Sequence, residues 1–514
     1  MKKIFFKNSI FFLLITYISS IIIIPFQTYN PFLTDNEELM QLIKNTPDKN
    51  LVNTISRNLI YANLNIGQNI QTISTFIEMT TQNFVIRDTV IKGHYKIGYH
   101  RNMNFTFRDN YLLNSIFRNI YYNSNISGSY RFIDECYFSI RDFLSIKNRC
   151  GNESIFLRQK NNIRDNDSIK PINFYIRFQE LEEFDHRPAI IGFNYYNNFI
   201  SELKGKREIS SYDFSFKYTN EKEDNGELII GDLPHIYDSE NYQEKNLRSA
   251  KIIKAPTVDW GIIFDIYLSS KNKSKNEFIL NVEENGFFYI EEFFITGSQK
   301  YFTYIEENFF KKYIDQNICI RYSHNKAYYL ETFFYFICYI DDDNKRKEFF
   351  DEFPDLILSQ REMDYKFRLT AEDLFTIIPD GKRILFNVDF VYHSNKWILG
   401  KPFLKKYQLI FNSDSNSISY YINEKDLDIN REENNKKGNG WKIFLIVFLV
   451  LVAFAVGIIF GRAMCIKYSR KLRANELEDN FSYIIDENIK ANEDDTKDIN
   501  FKNNNYKSKY YNLS

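Results

Sequence analysis

Between residues 28 and about 430, the chain alternates short apolar or aromatic runs with clusters of Asn, Asp, Gly and Lys. That rhythm predicts strands joined by turns rather than long helices. Phe132 to Ile140, Asp213 to Tyr218, Ile262 to Leu268 and Gln408 to Phe411 read as strands. Helical spacing is confined to two brief stretches, Asn36 to Asn45 and Glu306 to Ile314. Two longer apolar stretches bracket this region. The first, Ile10 to about Ile24, follows the basic Lys2 and Lys3 and reads as a secretory leader, expected to be removed as residues 1–27. An uncleaved signal anchor is the alternative, because the stretch is long and no clean small-residue site follows it. The second, Trp441 to Met464, is long enough to cross a bilayer as a helix. Arg462, Lys467, Arg470, Lys471 and Arg473 follow it and outweigh Lys436, Lys437 and Lys442 before it, so the tail is expected in the cytoplasm in a single-pass type I arrangement.

A chain of 514 residues exceeds one ordinary core. The expected organisation is a leader (1–27), an N-terminal or propeptide-like segment (28–58), two lobes (59–245 and 246–422), a polar stalk (423–440), the membrane helix (441–464) and a disordered tail (465–514). Lys and Arg number 66 against 67 Asp and Glu, so no global field favours nucleic acid. Of the five cysteines, Cys136, Cys150, Cys319 and Cys338 lie between the hydrophobic stretches and Cys465 lies just past the second. In an oxidising compartment, two closely spaced pairs suggest disulfides Cys136 to Cys150 and Cys319 to Cys338, although four cysteines allow three pairings. Asn104, Asn125, Asn152, Asn166 and Asn272 each open a glycosylation sequon. The six histidines show no metal spacing and no Gly-rich phosphate loop follows a strand, so neither metal nor cofactor is expected.

Four segments then fall in a telling order. Tyr61-Ala62-Asn63-Leu64-Asn65-Ile66-Gly67 with Gln71 forms an opening strand and Gly turn; Ala189-Ile190-Ile191-Gly192-Phe193 ends a strand on a glycine; Phe214-Ser215-Phe216 leads to Gly226-Glu227-Leu228-Ile229-Ile230-Gly231; and Trp397-Ile398-Leu399-Gly400 precedes Phe403-Leu404 and Tyr407. Over Tyr61 to Tyr421 the chain thereby resembles the pepsin-like aspartic proteases. The resemblance implies an all-β, two-lobed fold with a cleft for an extended peptide, and in that family each lobe supplies one Asp from an Asp-Thr/Ser-Gly loop. The two carboxyls share a proton, one acting as base toward water while the other protonates the substrate carbonyl.

By the family spacing from Gly67, the first Asp position falls on Glu78, a carboxyl on an arm longer by about 1.5 Å in a site that tolerates about 0.5 Å. The second is assigned through Thr296-Gly297-Ser298 to Ile295, an aliphatic residue that can neither share a proton nor orient water. Glu291 and Glu292 belong to the incoming strand in this register. The flap tyrosine of the family corresponds to Tyr121, in Tyr121 to Gly128. The expectation is a membrane-anchored, monomeric pseudoprotease that binds an extended polypeptide in a secretory, vacuolar or cell-surface compartment. An active aspartic endopeptidase and a structural surface glycoprotein are the alternatives.

Overall fold

A computed structural model describes residues 20–29, 41, 43–48, 51, 59–80, 84–87, 122–140, 144–160, 168–179, 188–220, 225–253, 259–269, 277–326, 331–391, 396–423, 444–475 and 477. The protein is mostly β, with two large sheets and one apolar C-terminal helix. In chain order the first strands are β1 (Ile21–Tyr29), β2 (Leu59–Ile66), β3 (Gln71–Glu78), β4 (Phe84–Arg87), β5 (Arg131–Ile140) and β6 (Leu144–Lys160). They are followed by β7 (Ser168–Gln179), β8 (Ala189–Gly192), β9 (Asp213–Asn220), β10 (Asn225–Ile230) and β11 (Leu247–Lys251). These eleven, with β23 (Ile410–Asn412) and β24 (Ser417–Tyr421), form a 13-stranded sheet. The second sheet holds the strands between: β12 (Gly261–Ser269), β13 (Glu277–Phe288), β14 (Ile295–Gly297), β15 (Cys319–Lys326), β16 (Glu331–Tyr339) and β17 (Asp355–Gln360). It is completed by β18 (Tyr365–Leu369), β19 (Phe375–Ile377), β20 (Arg383–Phe386), β21 (Val388–Val391) and β22 (Trp397–Leu399). Both sheets belong to one compact unit, Met1–Leu427.

Period-two patterning explains the strands. In β2, Ile60, Ala62, Leu64 and Ile66 are buried, while Tyr61, Asn63 and Asn65 face outward. On that outer face Thr72 and Ser74 of β3 donate to Asn65 and Asn63 at 2.8 and 2.9 Å, so polar cross-strand pairs hold the register that the buried face selects. Gly67 closes the β2–β3 turn at φ 81°, a conformation that costs a glycine nothing. The sheet order runs β11-β24-β23-β9-β10-β1-β2-β3, so strands from the end of the chain extend a sheet begun by its start.

Three expectations change. Residues 21–27, expected within the discarded leader, make up most of β1 and lie in the interior of the sheet. The helix expected at Glu306 to Ile314 begins earlier, at Ser298, whose hydroxyl caps the helix α2 (Gln299–Ile305) that follows α1 (Asn198–Gly205) in the chain; a π-turn over Glu306–Phe310 then leads into a last turn over Lys311–Asp315. The apolar helix spans Phe444–Asn475, with a mean hydropathy of 3.1 in its most apolar window, and extends past the expected end at residue 464. Cys319 and Cys338 face each other across β15 and β16 and form a disulfide. Cys150 is disulfide-bonded and fully buried; its expected partner, Cys136, lies outside the residues whose side chains are described.

The chain between β1 and β2 is tied to the second sheet. Ile43 and Leu51 are fully buried in a cluster with Phe293, Phe294, Tyr335, Ile337, Ile378 and Leu385. Arg383, buried at the start of β20, donates to the Ile43, Lys44 and Thr46 carbonyls at 3.1 to 3.3 Å and pairs with Asp48 at 2.8 Å. Asp48 also accepts from the hydroxyls of Tyr322, at 3.0 Å, and Tyr339. Arg383→Ala removes a donor from each of these carbonyls and the cation that pairs with the Asp48 carboxylate. We expect a loss of about 3 kcal/mol in urea unfolding and new proteolytic cleavage within residues 43–51, whereas a conservative surface replacement such as Lys382→Arg leaves both unchanged.

Candidate functional site

Each sheet contains the same three-strand braid. In the first, β3 ends at Glu78, the chain turns through Met79 and Thr80, and it returns through β4. Between the two lies β8, parallel to β3 with Glu78 opposite Gly192, and antiparallel to β4 with Val85 opposite Ile190. Phe193 N–H donates to the Glu78 carbonyl at 2.7 Å, and Trp260 Nε1 holds the Phe193 carbonyl at 2.7 Å. In the second, β13 runs to Phe288, the chain turns through residues 289–294, and it returns through β14. The intervening strand is β22, parallel to β13 with Phe288 opposite Leu399, and antiparallel to β14 with Thr296 opposite Ile398. A glycine closes each middle strand, Gly192 as the last residue of β8 and Gly400 directly after β22, and each leads to a helix, α1 after Gly192 and α3 (Lys401–Lys406) after Gly400.

Matching Ala189–Gly192 to Trp397–Gly400 fixes the equivalent positions. Val85 then matches Thr296, and the residue one step beyond the Phe288–Leu399 pair, Tyr289, matches Glu78. Val85 lies seven positions after Glu78, and Thr296 seven positions after Tyr289, so the two turns have the same length. Glu78 and Tyr289 are both half-buried, and Met79 and Ile290 after them are both buried. Tyr289 N–H donates to the Leu399 carbonyl at 3.3 Å.

The assignment of Ile295 to the second turn is therefore corrected. Ile295 is fully buried in β14, pairs with Val388 and donates its N–H to the Asn387 carbonyl at 2.9 Å. Thr296 beside it gives its hydroxyl to Asp389 at 2.6 Å within the core. The Thr-Gly-Ser tripeptide lies in the strand after the turn, where Ser298 starts α2. The signal that locates the turn is the distance back from the glycine-ended strand's antiparallel partner.

Glu291, assigned by sequence to the incoming strand, lies in the turn itself and joins the halves. Its carboxylate accepts the Met79 N–H at 3.0 Å on one oxygen and the Thr80 N–H at 3.1 Å on the other. Burial pushes the Glu291 carboxyl above the ordinary range, and the charge of Glu292 adds to this; the bonds from Met79 and Thr80 pull the other way without prevailing. Glu292 and Phe294 stack their carbonyls over Gly400, where an added Cβ would lie 2.5 and 2.3 Å from the two oxygens. Only glycine fits there.

The arrangement places a carboxyl, Glu78, and a phenol, Tyr289, at equivalent positions of the two braids. A phenol with an ordinary pKa of about 10 stays protonated at acid and neutral pH and cannot share a proton with a carboxylate as a second carboxyl would. Among the described residues no His, Cys, Asp and Glu group could hold a metal ion. A pocket of about 460 Å³ opens elsewhere, lined by Phe84, Phe174, Arg177, Phe199, Glu202 and Lys206 among others, and none of the turn residues lines it.

Tyr121 lies outside the described residues. Its neighbour Tyr122 is fully buried and donates to Glu153, which is itself buried and also accepts from Ser129, from Ser127 at 2.6 Å and from the Ser154 N–H at 2.7 Å. Gln71 exchanges two bonds with the Asn123 main chain at 2.9 and 3.1 Å, so residues 122–129 are clamped to the β2–β3 turn. Sequence reasoning missed Glu153 because its side-chain partners lie 24 to 31 residues away. Asn125 and Asn152 are exposed; Asn104, Asn166 and Asn272 lie outside the described residues. Comparison with protein-family models finds no match to this chain, and comparison with curated proteins finds none either.

The Glu291 link has a pH signature. A carboxyl whose folded pKa is raised is most stabilising when protonated, and its contribution is lost as pH rises from the unfolded value, about 4.3, through the raised folded value. Glu291→Gln removes this ionisation while keeping an acceptor for Met79 or Thr80. We expect the urea midpoint of the wild-type protein to fall relative to Glu291→Gln as pH rises above about 4.3. Parallel profiles for the two proteins would show that the carboxyl carries no such load.

Proposed function

We propose that this chain is a membrane-anchored protein with a pepsin-like, two-lobed scaffold that binds extended polypeptide between its lobes without cleaving it. The scaffold reading draws support from the two equivalent braids, each with a glycine-ended middle strand, and from the ordered motifs Tyr61 to Gly67, Ala189 to Phe193 and Trp397 to Tyr407. The non-catalytic reading is carried by Tyr289, which stands where the partner of Glu78 would have to be a carboxyl. Peptide binding does not need the acid pair, because an extended strand can be held by main-chain hydrogen bonds alone. The apolar helix Phe444–Asn475 would anchor the protein, with the basic residues after Gly461 on the cytoplasmic side and the β unit, carrying glycans at exposed sequons such as Asn125 and Asn152, on the lumenal or extracellular side.

One observation favours a second reading, an active aspartic endopeptidase. The Glu291 carboxylate binds the N–H of Met79, the residue next to Glu78, so two carboxyls lie on meeting turns and their acid constants could be driven apart. Against this, both oxygens of Glu291 are already engaged by main-chain N–H groups.

The purified β unit, incubated at about pH 3 to 6, where an acid pair would work, with a mixed library of extended peptides separates the two. We expect retention of a subset of peptides and no cleavage products by mass spectrometry. Cleavage that disappears in both Glu78→Ala and Glu291→Ala would overturn the non-catalytic reading in favour of the second.

A further inference from the structure

The first strand carries more information about processing than the leader-like sequence before it. Ile21, Ile22, Ile23 and Ile24 are each at most 2% exposed. On one side β1 pairs with β10, Ile22 opposite Ile230 and Ile24 opposite Leu228; on the other it pairs with β6 through Ile21 to Ile23 and with β2 through Gln27 to Tyr29. Phe26 packs edge-on against Phe216 and Tyr218 and lies so close to Gly226 that a Cβ there would meet its ring at 2.5 Å. Discarding residues through 27 would remove this strand from the middle of the sheet and leave β10, β6 and β2 with unpaired main-chain groups, each costing roughly 1 to 3 kcal/mol where buried.

Ser20, just before β1, lies in a different environment. The Ser20 hydroxyl donates to the Glu208 carbonyl at 2.6 Å and accepts from Gln159 Nε2 at 3.0 Å. The same Nε2 reaches the Glu208 carboxylate at 3.3 Å. Gln159 Oε1 is buried and has no hydrogen-bond partner among the described residues. A carboxylate and a spare buried acceptor therefore flank Ser20, an arrangement that suits a cation with several N–H donors.

We propose that the leader is cut immediately before β1, at Ser19–Ser20 or Ser20–Ile21, and that the new α-ammonium group is received by Glu208 and Gln159. A signal peptidase supplies the activity and water the co-reactant: the peptide bond is hydrolysed, the carboxylate stays on the leader and the ammonium on the retained chain. The sequence agrees once β1 is set apart. Lys2, Lys3 and Lys7 precede an apolar stretch from Ile10 to Ile18, and the small Ser19 and Ser20 follow it, which is the order of a basic start, an apolar segment of roughly 7 to 15 residues and a small-residue cut site. The isoleucines of β1 extend the apolar run and conceal that site.

The test is the N-terminus of the newly made full-length chain, isolated from the endoplasmic reticulum of a eukaryotic expression host and identified by terminal-peptide mass spectrometry. Ser20 or Ile21 as the first residue is expected, with no peptide from residues 1–19. A first residue at Thr28 or later, or a chain that retains Met1 to Ser19, overturns the proposal. The double variant Ser19→Leu, Ser20→Leu should lose most of this processing, at least tenfold in the ratio of cut to uncut chain; processing at the wild-type position and extent contradicts the assignment.

Discussion

Everything at the centre of this protein hangs on a short strand that must pair in two directions at once. In each sheet a three- or four-residue segment, β8 or β22, lies parallel to the strand entering a turn and antiparallel to the strand leaving it. Its main-chain groups are committed on both edges, so the turn between its neighbours has one place to go. The glycine at its end lets the turn close over it: at Gly400 the carbonyls of Glu292 and Phe294 occupy the space a side chain would need. That constraint delivers Glu78 and Tyr289 to equivalent positions, and Glu291 then fastens one turn to the other through the N–H groups of Met79 and Thr80. The link combines main-chain donors from Met79 and Thr80 with the Thr80 side chain, so it depends little on which side chain stands at 79.

The surrounding sheets hold the braids in register. β1 lies between β10 and β2 with β6 beside it, and beyond β10 in sheet order the mid-chain strand β9 meets β23 and β24 from much later in the chain. Aromatic packing fills the space around this seam, with Trp260 against Phe214 and Phe411, and Phe214 stacked on Phe411. Phe411 and Phe214 come from strands nearly 200 residues apart that pair directly, Phe411 opposite Phe214.

Much of this was legible in the sequence where the information is local. The alternation in Leu59–Ile66, the glycine at 67 and the glycine-ended strands at 192 and 400 all follow from side-chain period and backbone freedom, and they place Glu78 at a strand end. That Ile295 lies in β14 and not in the second turn has a physical reason. Thr296-Gly297-Ser298 spells the tripeptide of a catalytic loop, but the tripeptide is equally good chemistry for a buried strand end that hands over to a helix cap, and only the pairing of Thr296 with Ile398 distinguishes the two. Four isoleucines suit a membrane and a doubly covered strand alike, so sequence alone does not set β1 apart from the leader. The ties of Asp48 to Arg383 and of Glu153 to Tyr122, Ser127 and Ser129 depend on residues brought together only by the fold.

The claim on which the functional reading turns is that Tyr289, and not Ile295, stands opposite Glu78. Paired cysteines test it directly: Glu78→Cys with Tyr289→Cys, and Glu78→Cys with Ile295→Cys, each in a full-length chain carrying Cys465→Ser and treated with a short bifunctional thiol reagent. Cross-linking of the first pair within the folded monomer and none of the second is the predicted result. Efficient cross-linking of the 78–295 pair, with none of the 78–289 pair, would contradict the account.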